Sequence, residues 1–428
     1  MRTMEMVDAA PTREQAPNVF RLVSAATVGN ALEWFDILIY GFFAISISKA
    51  FFPASSSGVS LLLTFGTFAI SYLARPIGAL VLGSYADRRG RKASMMVSIV
   101  TMMVGTTTIA LTPSYESIGM VAPILVICAR LLQGFSAGGE FGSTTAFLVE
   151  QCPERKGLFA SFQFASQGLS YMLAAGFGVL LTLTLDADAI DAWGWRIPFL
   201  FGVLIGPVGL YLRKHVHEAD GATRERRESF PVREVFVNQK ARMLLAIGTL
   251  VLSTGASYVI LYVPTYAVRE LHLPASFGFI ATMLTGGILT FVTPFVGYLS
   301  DRIGRVRLMI WAGMAFILTI YPVFKLLGAH PDLGRLIAMM AWIGTLKAVY
   351  FGALPALMAE VFPTETRATG MAISYNIGVT LFGGFAPLIV ASLIHQTGNL
   401  ASPALYLMLV GVLSLIALRG CRSMLNLR

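Results

Sequence analysis

Apolar runs of membrane-spanning length, separated by short polar turns, recur along the whole 428-residue chain. A hydrocarbon layer of about 30 Å is crossed by roughly 20 helical residues, and only helices or closed barrels satisfy their backbone inside lipid. The pattern predicts an all-α membrane protein of twelve transmembrane helices, over residues 22–48, 62–86, 95–112, 121–145, 158–184, 196–213, 241–266, 276–300, 308–328, 335–360, 368–394 and 402–419. A tilt or a break at glycine is expected in the fifth or the eleventh. A mean hydropathy of +0.71 with 13% charged residues does not suit a soluble chain of this size. The opening stretch MRTMEMVDAAPTREQAPNVF is polar and the first apolar run already spans, so no cleaved signal peptide is expected and the N-terminus is expected to stay inside.

Two motifs occur twice. GSYADRRGRK at Gly83–Lys92 returns as GYLSDRIGRVR at Gly297–Arg307, and the Glu, Pro, Arg, Gly order of Glu150–Gly157 returns in Glu360–Gly370 at nearly the same offset. Such duplication predicts two pseudo-symmetric six-helix bundles, 22–213 and 241–419, related by an axis along the membrane normal. Residues 1–21 and 420–428 are then cytoplasmic ends, and 214–240 a basic cytoplasmic linker.

The net charge of +9 does not point to nucleic acid, because most of the 32 Lys and Arg fall in loops on one side, which is a topology signal. The linker adds a weaker expectation of contact with anionic lipid headgroups. Cys128, Cys152 and Cys421 are too far apart in sequence to suggest a disulfide framework, and His215 and His217 lack further ligands for a metal. No nucleophile, base and acid set and no GxxxxGK[ST] phosphate loop is present, so neither an enzyme nor an ATP-driven pump is expected. A sensor would ordinarily need a soluble signalling domain, for which the termini and linker offer no room.

Charges inside membrane helices cost about 2.5–3.5 kcal/mol on insertion scales and so demand a reason. Glu33 and Asp36 lie three residues apart on the first helix, with Tyr40 a turn beyond. Counted from the inner helix ends, Asp36, Arg130 on the fourth helix and Lys347 on the tenth all lie at a depth of roughly 20 Å. Glycines 134, 138, 139 and 142 on the fourth helix allow close backbone approach.

The Gly-x-x-x-Asp-Arg-x-Gly-Arg loops resemble the signature of the major facilitator superfamily over nearly the whole chain. More narrowly, Gly29–Asp36, Arg75–Gly78, Arg130–Gly134 with Gly138–Glu140, and Trp193–Pro198 are similar to its metabolite:proton symporter branch. Members of that branch carry citrate and tricarballylate, 2-oxoglutarate, shikimate, or proline and betaine across bacterial inner membranes. The resemblance implies that helices one, four, seven and ten surround one aqueous site. Arg130 and Lys347 would there bind an organic anion, with Gln133, Tyr40, Tyr350, Asn376 and Asn30 in the same site, while Asp36 or Glu33 exchanges the proton. A structural Asp36–Arg130 ion pair, a Lys347 that reaches towards water, and an Arg75 that shapes a helix contact are the plainer alternatives.

The resemblance further implies gate elements at Gly83, Asp87, Arg88, Gly90 and Arg91 and at Gly297, Asp301, Arg302, Gly304 and Arg305. Each Asp can pair with a nearby Arg or accept from amides at a neighbouring helix N-terminus. The expected function is proton-coupled import of a di- or tricarboxylate such as citrate or tricarballylate by alternating access, with 2-oxoglutarate, shikimate or an osmoprotectant as alternatives. The short tail is an expectation against osmosensing. No cofactor is expected beyond the proton gradient as energy source, and the partners expected are the anion, the proton and the lipid bilayer, for a protein that works as a monomer.

Overall fold

The computed structural model describes residues 19–89, 91–138, 140–215 and 231–427, all in helices and short connections. Among the described residues twelve long helical segments, four of them in two pieces, succeed one another. α1 is Val19–Phe42, continued by Ala44–Phe51 after a 67° bend. α2 comprises Ser57–Leu73 and Arg75–Arg89, α3 is Arg91–Leu111, and α4 comprises Val121–Ala137 and Glu140–Gln151. α5 is Lys156–Thr184, α6 Arg196–His215, α7 Lys240–Arg269 and α8 Ala275–Ile303. α9 is Arg305–Ala329, α10 Leu333–Val361, α11 Arg367–Val379 with Ala386–Thr397, and α12 Ser402–Leu425. Among the described residues eight of these are long and apolar enough to cross a membrane, and nine with the bent α1; α3 and α4 contribute shorter apolar helices, Met96–Leu111 and Val121–Ala137.

Local chemistry sets the helix ends. Ser56 accepts from Val59 N at α2, and Asp332 from Arg335 N (2.8 Å) at α10, each satisfying one of the amides a helix start leaves open. Gly304, at φ 103°, turns the chain between α8 and α9 in a conformation that excludes a Cβ.

Of the two helices expected to tilt or break at glycine, α5 runs unbroken for 29 residues and α11 is interrupted by a π-turn, Thr380–Gly384. Glycine is required in that turn because a Cβ on Gly384 would lie 2.4 Å from the Tyr72 ring. α12 continues past residue 419 to Leu425, since Leu418 and Cys421 are still buried. Within the expected linker, Pro231–Asn238 is helical with Val235 buried, while 216–230 lie outside the described residues.

The two bundles meet most closely where α5 crosses α8: a Cβ on Gly286 would fall 2.4 Å from Met172 N, and one on Gly168 2.6 Å from Thr290 N. Contacts close the interface at both ends. At one end Arg269 of α7 donates to Ser57 Oγ (2.8 Å) and His395 of α11 packs by Gly58. At the other, α8 holds the start of α5 through Asp301. Between them, Tyr72 and Tyr258 share a hydrogen bond of 2.6 Å, Tyr171 donates to Ser257 O (2.6 Å), and Thr380 to Tyr72 O (3.0 Å). The arrangement is occluded.

Candidate functional site

Asp36 on α1 and Arg130 on α4 are both buried and are joined through two neutral side chains. Arg130 Nη1 donates to Gln133 Oε1 (2.7 Å), Gln133 Nε2 to Thr106 Oγ1 (3.0 Å), and Thr106 Oγ1 to Asp36 Oδ2 (2.8 Å). The direct ion pair considered from the sequence is absent. Gln133 stands one turn above Arg130 and intercepts its guanidinium, and Thr106 enters from α3. Glycine makes room on both sides: a Cβ on Gly105 would meet Gln133 Cγ at 2.7 Å, and one on Gly202 of α6 would meet Asp36 Oδ1 at 2.4 Å. Arg130 also donates to Ser71 Oγ (3.1 Å) and lies over the rings of Tyr40 (4.5 Å) and Phe68 (4.9 Å). Its Nε and Asp36 Oδ1 keep free hydrogen-bonding capacity.

Glu33, one turn before Asp36 on α1, is half-buried. Arg75 is buried over the Tyr72 ring (4.3 Å), at the contact between α2 and α7.

Lys347 is buried at the middle of α10. Its Nζ lies over the rings of Phe351 (4.4 Å) and Tyr171 (5.0 Å) and has no hydrogen-bond partner among the described residues. Lys347 shares no ring with Arg130, which lies over Tyr40 and Phe68. Tyr350 donates to Thr249 O (2.7 Å) inside the second bundle. Asn30 spends its amide on Gln163 O (2.9 Å) and Ser166 Oγ (2.7 Å), and accepts from Gln163 Nε2 (3.0 Å), tying α1 to α5. Asn376 donates to Gly138 O (2.7 Å), bridging the bundles.

The sequence reading missed Thr106, Ser71, Gln167 and Ser253. Thr106 opens a Thr-Thr-Thr run in the middle of α3, a polar cluster at membrane depth that is a usable signal. Gln167 and Ser253 line a small chamber between α1, α5, α7, α10 and α11, walled also by Trp34, Phe164, Tyr258, Phe351 and Tyr375. Among the described residues no three His, Cys, Asp or Glu side chains come together to hold a metal ion.

The second repeated loop is an interlock. Asp301 Oδ1 accepts from Gly157 N (2.8 Å) and from Arg305 Nη2 (2.7 Å), Asp301 Oδ2 accepts from Leu158 N (3.2 Å), and Arg305 Nη1 pairs with Glu360 Oε1 (2.8 Å). Gly297 lets α8 approach Gly157 and Ser161 of α5. Arg302 donates to Tyr298 on its own helix. Of the first loop, Gly90 and the side chains at Gly83, Asp87, Arg88 and Arg91 lie outside the described residues.

Residues 26–387 match the family model of the Major Facilitator Superfamily. The chain is 38% identical to a citrate-proton symporter of Klebsiella pneumoniae, covering 97% of this chain and 95% of that protein. It is 34% identical to a proline/betaine transporter of Escherichia coli (strain K12), covering 92% and 82%. The xylose transporter XylE from E. coli, in a partially occluded inward-open conformation, superposes with a TM-score of 0.73 at 17% identity, over 94% of this chain and 97% of that one.

Proposed function

Since the chain belongs to the major facilitator superfamily, we propose that it is a proton-coupled symporter that imports an organic anion, foremost a di- or tricarboxylate such as citrate. The carrying observation is the Arg130–Gln133–Thr106–Asp36 relay, which links a buried cation to a buried carboxylate without letting them neutralise each other. Arg130 binds a substrate carboxylate through its free Nε and by exchanging Ser71 for the ligand. Gln133 then reorients, Thr106 follows, and the change in donors at Asp36 Oδ2 alters its hold on a proton. Anion binding and proton binding are thereby coupled through four side chains. Glu33 serves the same exchange. The citrate relative supports the substrate class.

The same reading puts the protein in a bacterial inner membrane as a monomer, with both termini and the Asp301 interlock on the cytoplasmic side. Asp301 and Arg305 then hold the inner gate, and Arg269 with Ser57 the outer one.

A zwitterion is the second reading, favoured by the aromatic chamber walls, which suit a quaternary ammonium, and opposed by Lys347 over one of them. Uptake of labelled citrate, tricarballylate, 2-oxoglutarate, shikimate and betaine into proteoliposomes under an imposed proton gradient separates the two. Accumulation of betaine alone overturns the anion reading.

A further inference from the structure

A lysine ammonium at mid-membrane ordinarily finds a carboxylate, a carbonyl or water. Lys347 is 1% exposed and has none of these among the described residues, only the faces of Phe351 and Tyr171. Snorkelling is excluded because the side chain lies near the middle of the 29-residue α10. Tyr171 presents its ring face to the ammonium, while its hydroxyl donates to Ser257 O. Phe351 is also a wall of the chamber. Two other donors of that wall are unsatisfied: Gln167 Nε2 on α5 and Ser253 Oγ on α7, each 1% exposed. Around the Phe351 ring, three elements thus carry a buried ammonium, amide and hydroxyl whose donor capacity is unspent among the described residues.

Arg130 cannot share its ligand atoms with this region. It lies beyond Tyr40 and Phe68, and the paired Tyr72 and Tyr258 hydroxyls stand on the chamber side of Phe68. We propose that Lys347, Gln167 and Ser253 form a second carboxylate subsite, separate from Arg130, which selects anions carrying at least two carboxylates. It rests on the anion reading above. A two-headed anion spans from α4 in the first bundle to α10 in the second, so its binding holds the bundles together through the ligand. A monocarboxylate satisfies Arg130 and leaves the ammonium uncompensated, which is a penalty built against it.

The test uses the full-length protein in proteoliposomes and inhibition of labelled citrate uptake by citrate, tricarballylate, succinate and propionate. Lys347→Gln is expected to weaken inhibition by the di- and tricarboxylates tenfold or more and inhibition by propionate less than twofold. Ser253→Ala and Gln167→Leu are expected to act in the same direction by threefold or more, and Lys347→Arg to retain the discrimination. Because the two milder variants preserve volume and charge, they keep the test decisive if Lys347→Gln does not fold. Equal losses for all four anions, or an unchanged ranking, overturn the subsite while leaving anion transport intact. Failure of wild-type protein to take up any anion overturns the underlying reading instead.

Discussion

Arg130 and Asp36 are connected but do not touch: Gln133 and Thr106 stand between them, each accepting one hydrogen bond and donating one. This makes the hydroxyl of Thr106 the joint of the relay. Thr106→Val leaves Asp36 Oδ2 and Gln133 Nε2 without partners, at about 1–3 kcal/mol each. Gradient-driven accumulation is expected to fall at least tenfold while exchange of labelled for unlabelled substrate persists, and Thr106→Ser is expected to restore accumulation. Accumulation by the Val variant at the wild-type level would reduce the relay to packing.

The Asp301 interlock makes a different prediction. Asp301→Asn retains one acceptor oxygen for the α5 amides and gives up the charge that engages Arg305. Charge-assisted hydrogen bonds contribute about 1.5–3 kcal/mol, so the closed-to-open ratio at this end should fall roughly 10- to 100-fold. Ser161, buried against Gly297 in the closed arrangement, reports it. In a cysteine-free background, maleimide labelling of Ser161→Cys should accelerate by that factor when Asp301→Asn is added. An unchanged rate would mean that the α5 and α8 glycines alone hold the end shut.

Asp301 is legible in the sequence because its needs are local. A carboxylate beside a repeated glycine turn must find donors, and helix amides are obligatory donors wherever a helix begins. The cost of charge in lipid likewise singles out Asp36, Arg130 and Lys347. What stays hidden depends on which helices become neighbours. Asn30 and Asn376 are consumed by α5 and α4, Tyr350 by α7, and no spacing within α1, α10 or α11 reveals those partners. Thr106 is hidden for another reason. Helical threonines commonly bond the preceding turn, and Thr106 does reach Met102 O as well (3.1 Å), so only the approach of α1 and α4 distinguishes it.

At the opposite end, Glu270 lies just past α7, and partial burial holds its carboxyl above the ordinary range. Arg269, His272 and His395 nearby act against that shift. The sign follows from proton linkage. The closed form binds this proton more tightly than an open, hydrated form, so closure is favoured below the ordinary glutamate range and weakens as pH rises through the raised value. Spin labels at Ser55 and Pro274 should therefore separate increasingly as pH rises across that window. In Glu270→Gln the distance should become independent of pH there; persistence of the trend would remove Glu270 as its cause.

The crossing of α5 and α8 supplies a prediction with its own control, because adjacent glycines on α8 face unlike surroundings. A Cβ on Gly286 meets backbone, Met172 N at 2.4 Å and Gly168 O at 2.9 Å, and backbone cannot rotate away. A Cβ on Gly287 meets only Met172 Sδ at 3.9 Å, an ordinary contact with a flexible side chain. Overpacking of this kind costs about 1–3 kcal/mol in a closed core, and here the bundles can escape it by moving apart. Gly286→Ala is expected to destabilise the occluded arrangement selectively, lowering transport at least tenfold while the protein still folds and inserts. Gly287→Ala should transport within twofold of wild type. Because the residues are neighbours on one helix with the same helix propensity change, equal losses would point to an effect of alanine on α8 itself and not to the distance of closest approach between the bundles.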